Sequence, residues 1–197
     1  MIDKETAVQD HGDPLWILNE YRAAEIHGAG AIMRMGRLAD STELSADLSR
    51  HLRDEAVHAW LWTKALTDLG GEIVEVDTPY QTRLGAYFGL PRTLTEFLAL
   101  TWVSERRGVL QYEEHLDVPD VTPVIQRTLR GILKDEHWHV RYINEELQRR
   151  VRADKHVQDA MDRALSADHQ AVADLIAVTA AATGASQGSA TWLSSTR

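Results

Sequence analysis

Residues 52–62 read LRDEAVHAWLW and residues 133–143 read LKDEHWHVRYI. Each carries D-E-x-x-H: Asp54, Glu55 and His58 in the first, Asp135, Glu136 and His139 in the second, 81 positions later. Both sit among leucine and tryptophan, on stretches whose apolar spacing is helical. Residues i and i+3 share a helix face, so each Glu-x-x-His aims two ligand-type side chains the same way. Ahead of each motif, by 30 or 31 positions, stands an E-x-x-G: Glu25 to Gly28, and Glu105 to Gly108. The chain is thus two similar halves, each with one mid-helix Glu and one Glu-x-x-His.

Working outward, the periodicity predicts four long helices. The first spans 14–38, opening on Asp13-Pro14 as N-cap and first-turn proline, with Leu18, Tyr21, Glu25, Gly28 and Ile32 on one face. The second starts near Asp40 and stops at Gly70-Gly71, with Leu44, Leu48, His51, Glu55, His58, Trp62 and Leu66 inward. The third runs from Thr93 to about Leu116 with Leu98, Glu105 and Tyr112 inward. The fourth runs from Thr122-Pro123 to about Val151 with Leu129, Glu136, His139 and Ile143 inward. Short links within each pair imply antiparallel hairpins. The 22 residues 71–92, with Pro79, Pro91 and the apolar piece LGAYFGL, are long enough to cross the length of a bundle. Two hairpins joined by one long crossover make a four-helix bundle over 14–151. A fifth helix is expected across 155–180, and 181–197 as a flexible tail, the whole 1–197 being one domain.

Composition narrows the function. A net charge of -9 disfavours nucleic acid as a partner. No run of about 18 apolar residues offers a membrane span, and the acidic, polar N-terminus lacks a secretory apolar core. The chain has no cysteine, which removes disulfides and thiolate metal sites and fits a cytoplasmic setting. Four carboxylates and two imidazoles carry a charge of about -4, which two divalent first-row ions neutralise in a core that could not hold the carboxylates alone. The candidate ligands are Glu25, Glu55, His58, Glu105, Glu136 and His139, with Glu55 and Glu136 expected to bridge and Glu25 and Glu105 to be terminal. Glu20 competes with Glu25, whose interval to Glu55 better mirrors that from Glu105 to Glu136. Asp54 and Asp135 are placed to orient imidazole N–H groups, either on their own helix or across to the other.

This pattern resembles the ferritin-like di-iron carboxylate superfamily, over residues 14–151, and its D-E-x-x-H form is similar to that of the oxygen-activating members. The resemblance implies an all-α ferritin-like bundle, two iron ions (manganese in some members) and oxygen or peroxide chemistry. Since no rubredoxin-type cysteines are present, electrons are expected from an external donor or reductase, or from the substrate. An O2-dependent oxidase or oxygenase acting on a small organic substrate is expected, with an iron-handling or peroxide-scavenging protein as the alternative; a homodimer stays open. His51, four residues before Glu55, is either a buried polar residue above the site or an added ligand, as in the similar arylamine N-oxygenases. Gly28, Ala29 and Gly108 are expected to open a substrate pocket that Trp62, Trp102 and Tyr112 line, or else to let helices pack closely. His27, His115, His137, Arg106 and Arg107 are expected at the surface.

Overall fold

The computed structural model describes residues 15–183, with side chains through 177. The expected Asp13-Pro14 start and most of the 181–197 tail lie outside the described residues. Six α-helices and one 3-10 turn are present, with no strand among the described residues: α1 (Trp16–Met35), continued by the turn Gly36–Leu38, α2 (Thr42–Asp68), α3 (Tyr80–Phe88), α4 (Leu94–Leu116), α5 (Pro123–Val151) and α6 (His156–Thr183). This is the expected all-α ferritin-like bundle.

Local chemistry sets the boundaries. The Ser41, Thr93 and Thr122 side chains accept from the backbone N–H groups of Leu44, Glu96 and Ile125, at 3.1, 3.2 and 3.3 Å, satisfying donors that the first turn leaves open. At the end of α2, Gly70 adopts φ 75°, which lets Gly71 N–H turn back to Leu66 O at 2.9 Å.

Contacts run α1–α2, α2–α5, α5–α4 and α4–α1, which orders the four long helices around a ring. Within the first hairpin Arg22 meets Thr63 and His58 meets Glu25, so α1 and α2 are antiparallel. The core falls into two apolar plugs. One, at one end of the bundle, holds Leu18, Tyr21, Trp62, Leu66, Leu129 and Ile132. The other holds Ile32, Met35, Leu48, Leu98, Ile143 and Leu147, and is extended by α3 and α6. The polar residues of both motifs form the layer between them.

The crossover is not wholly irregular. Residues 80–88 form α3, which takes in most of the LGAYFGL piece and buries Tyr80, Leu84 and Phe88 against α6. Arg107, expected outside, is 6% exposed. Its guanidinium binds Asp168 of α6 through Nε at 3.0 Å and a terminal nitrogen at 2.7 Å, and Tyr80 donates to the same carboxylate at 2.7 Å. The reason is geometric: residues 99, 103 and 107 form a second buried stripe on α4, which α6 covers. Arg106 does face outward, over the Trp102 ring.

Candidate metal centre

Four helices converge on the polar layer. Glu25 comes from α1, His51, Glu55 and His58 from α2, Glu105 from α4, and Glu136 and His139 from α5; all seven are buried. Their donor atoms fall into two groups, His51–Glu55–Glu105–His139 and Glu25–Glu55–His58–Glu136, each with its atoms within 4.8 Å of one another. Glu55 belongs to both. Glu136 also spans them, with Oε1 at 3.0 Å from His58 Nδ1 and Oε2 at 3.3 Å from His139 Nδ1. Glu20, the competing residue of α1, is buried outside both groups. Burial raises its carboxyl pKa to about 7, against the opposing pull of Arg83.

His51 is fully buried, with Nε2 at 3.3 Å from both Glu55 and Glu105. Its other nitrogen, Nδ1, lies 2.8 Å from the Tyr142 hydroxyl. The two motif histidines follow the same plan across the bundle. His58 Nε2 faces Asp135 Oδ2 of α5 at 3.5 Å, and His139 Nε2 faces Asp54 Oδ2 of α2 at 3.6 Å. Each aspartate thus lies opposite the histidine of the other helix, at a separation longer than a direct hydrogen bond. An N–H on each outer nitrogen leaves the inner lone pair free, which is the tautomer a metal ligand needs.

The protonation pattern of the bare layer is strained. Burial, and then repulsion from Glu105, Glu25 and Glu136, raises the Glu55 carboxyl well above its usual range. Burial and Glu105 likewise raise Glu136. Glu105 is held well below normal because His51 and His139 outweigh its burial. Burial pulls His58 down, but the Glu136 and Glu25 carboxylates win and push it up to about 11. Several buried atoms still have no hydrogen-bond partner: His51 Nε2, His58 Nδ1 and Glu55 Oε1 among those facing inward. Orphaned polar atoms in a dry core are costly. Divalent cations would satisfy all three and cancel the carboxylate charge, so the residues present fit a two-ion site.

Space beside the layer is arranged differently from the sequence expectation. A cavity of ≈ 460 Å³ lies between α1, α3 and α4, lined by Gly28, Ala31, Leu84, Phe97, Leu100, Thr101 and Ser104, and it reaches Glu105. A smaller one of ≈ 40 Å³ shares Gly28, Gln81, Ser104 and Glu105 with it and touches Glu25, Glu55, Gly108, Tyr112 and Glu136. Gly28 and Gly108 border this open space, whereas Ala29, Trp62 and Trp102 line neither cavity. Trp62 belongs to the apolar plug below. Its Nε1 donates to Glu25 Oε1 at 3.3 Å, and Tyr112 donates to the same oxygen. Trp102 points outward from α4, half-buried under Arg106. The lining that sequence reasoning missed, Gln81 and Leu84, comes from α3; the four-residue spacing of Tyr80, Leu84 and Phe88 after Pro79 was its signal. His115, expected at the surface, is half-buried with Nδ1 3.2 Å from the Tyr21 hydroxyl.

Gly28 also permits a close approach. A Cβ there would stand 1.9 Å from Glu55 Oε2. No described helix is long and apolar enough to cross a membrane.

No protein-family model matches the chain, and no curated protein does. Among solved structures, it is similar to protein 19 with aldehyde deformylating oxidase activity from Synechococcus. The two share 20% identity over 92% of this chain and 83% of that one, with a TM-score of 0.67. A likeness at that identity is one of architecture, and this chain is by architecture a ferritin-like helical bundle whose buried histidines and glutamates could hold metal.

Proposed function

We propose that the protein is an O2-dependent di-iron oxidase or oxygenase acting on a small, largely apolar organic molecule. The observation that carries this reading is the ≈ 460 Å³ cavity reaching Glu105. Its size falls in the range of small-molecule sites, and a centre that only oxidised or stored iron would have no use for it. The oxidase activity of the structurally similar protein supports the same class and makes aldehydes the first substrates to try.

In this reading His51, Glu105 and His139 would hold one ion and Glu25 and His58 the other, with Glu55 and Glu136 shared between them. Two iron ions bound there supply electrons to O2 and the oxidising power for the substrate. The chain supplies position and dryness. Leu84, Phe97 and Leu100 take the apolar body of the substrate and exclude water. Gln81, whose Oε1 is buried with no partner, and Ser104 stand where the two cavities meet, and hold the polar end of the molecule toward Glu105. Trp62 and Tyr112 fix Glu25 from the opposite side.

The test is oxygen uptake by protein loaded anaerobically with two Fe2+ per chain, with and without a panel of alkyl aldehydes, alkylamines and arylamines. Product formation coupled to O2 use is expected, and Leu100→Trp, which fills the cavity, should abolish it while leaving iron oxidation intact. Oxygen uptake set by added iron alone, with mineral formed and no organic product across the panel, would instead establish an iron-handling protein.

A further inference from the structure

The outer face of α5 is basic although the chain is not. Arg127, Arg130, Lys134, His137 and Arg141 follow one another at three- and four-residue spacing and all are exposed. They extend over about 21 Å of helix, in a protein of net charge -9. Arg127, Arg130, Lys134 and Arg141 make no ion pair among the described residues. Arg50 and Arg53 of α2 continue the face, with Arg50 stacked on Trp138 at 3.7 Å. Of the nearby acids, Asp54 and Asp135 face the imidazoles and lie beside Arg50, and Glu113 lies 3.5 Å from His137; the exposed Glu145, four residues beyond Arg141, ends the stripe.

This face is also where the buried layer comes nearest to solvent on the histidine side. His58, 1% exposed, faces Asp135, which is 38% exposed, so two side chains separate the inner donors from the surface. The substrate cavity lies across the ring, between α1 and α4. The polar layer thus has a carboxylate side that opens to an apolar cavity, and a histidine side that opens to a positively charged surface.

We infer that the α2/α5 face is the docking surface for a small, acidic one-electron carrier protein. The inference rests on the di-iron reading, in which the centre needs a reductant, and these residues include no cysteine to hold an iron–sulfur cluster. At each encounter the carrier loses one electron and one ferric ion gains it, with no atom or proton exchanged. Two encounters return both ions to the ferrous state. Charge complementarity governs the rate and orientation of such encounters, and the stripe presents its charge beside the His58–Asp135 pair.

The probe is a reduced, acidic plant-type [2Fe–2S] ferredoxin, mixed anaerobically with iron-loaded, oxidised protein. Binding and reduction rate are measured for wild type, for Arg130→Glu/Lys134→Glu, and for the control Arg37→Glu/Lys155→Glu, which changes net charge equally elsewhere. The face variant should weaken binding and slow reduction about tenfold or more, and the control less than about twofold. Wild-type affinity should fall as salt rises from about 20 to 200 mM. Dithionite, which needs no docking, should reduce all three proteins alike. If dithionite finds no reducible iron, the di-iron reading itself fails. If dithionite reduces every protein but ferredoxin fails to bind, binds without salt dependence, or treats the two variants equally, the docking face alone is overturned. Tighter binding of a single-stranded RNA, lost in the same face variant, would also overturn it.

Discussion

Gly28→Ala separates the stability of the bundle from the geometry of its polar layer. An alanine Cβ at 28 would stand 1.9 Å from Glu55 Oε2, about 1.5 Å short of an ordinary 3.4 Å contact. The clashing atom is the end of a flexible side chain, so the helix need not move; the carboxylate must. Two positions along the same helix, a Cβ on Gly30 meets nothing within 4 Å. Gly30→Ala should therefore gain the helix preference of alanine over glycine, about 1 kcal/mol, or about 2–4 °C in Tm at this chain length. Gly28→Ala gains the same term and loses part of it by turning Glu55, so its metal-free melting point should stay within about 1 kcal/mol of wild type. Its metal content should not survive. A displacement of about 1.5 Å far exceeds the roughly 0.2 Å that coordination tolerates, and Glu55 is common to both donor groups. Elemental analysis after loading should give two ions per chain for wild type and Gly30→Ala, and fewer than one for Gly28→Ala with unchanged helical circular dichroism. Two tightly held ions in Gly28→Ala would refute Glu55 as a shared ligand. An unfolded Gly28→Ala would show that the close approach serves the backbone.

Glu136→Ala removes the other carboxylate that spans the two groups, and both occupancies should fall together in the same elemental analysis. Glu20 offers a pH test away from the donors. Its folded pKa of about 7 lies above the ordinary 4.5, so the cost of ionising it is absent below 4.5 and complete above 7. Stability should drop by up to about 3 kcal/mol across that window, and denaturant titrations should find Glu20→Gln more stable than wild type at pH 8 and equal to it near pH 4.5. Arg107→Leu strands Asp168 in the core, which typically costs about 3–5 kcal/mol. A thermal melt should register that loss, while Arg106→Leu, on the exposed side of the same helix, should change Tm little.

The parts of this molecule that were legible in the sequence are those that local rules specify. Thr93 and Thr122 announce their helices because a hydroxyl at an N-cap has one function there. The donor set was legible because Glu55–His58 and Glu136–His139 repeat a spacing that only makes sense on inward faces. Partnerships that depend on how helices settle against one another were not legible. Whether Asp54 serves His58 or His139 depends on the rotation of α2 against α5. Arg107 looked like a surface residue because its partner, Asp168, lies 61 positions away on a helix whose docking no local pattern reveals. Trp62 and Trp102, unlike Tyr112, line no cavity beside the layer for the same reason: α3, nine residues between glycines and prolines, decides which side of the layer is roofed.

The division of donors between the hairpins has a consequence for biosynthesis. Glu25, His51, Glu55 and His58 leave the ribosome first, and by themselves offer incomplete sets. Each set closes only when α4 and α5 have been made and have packed against the first pair, because Glu105 and His139 complete one and Glu136 the other. A nascent or half-folded chain therefore cannot hold two ions in this arrangement, and any pair of ions the layer takes up would enter late in maturation. Such metal would then be confined to chains that have already passed the test of tertiary assembly.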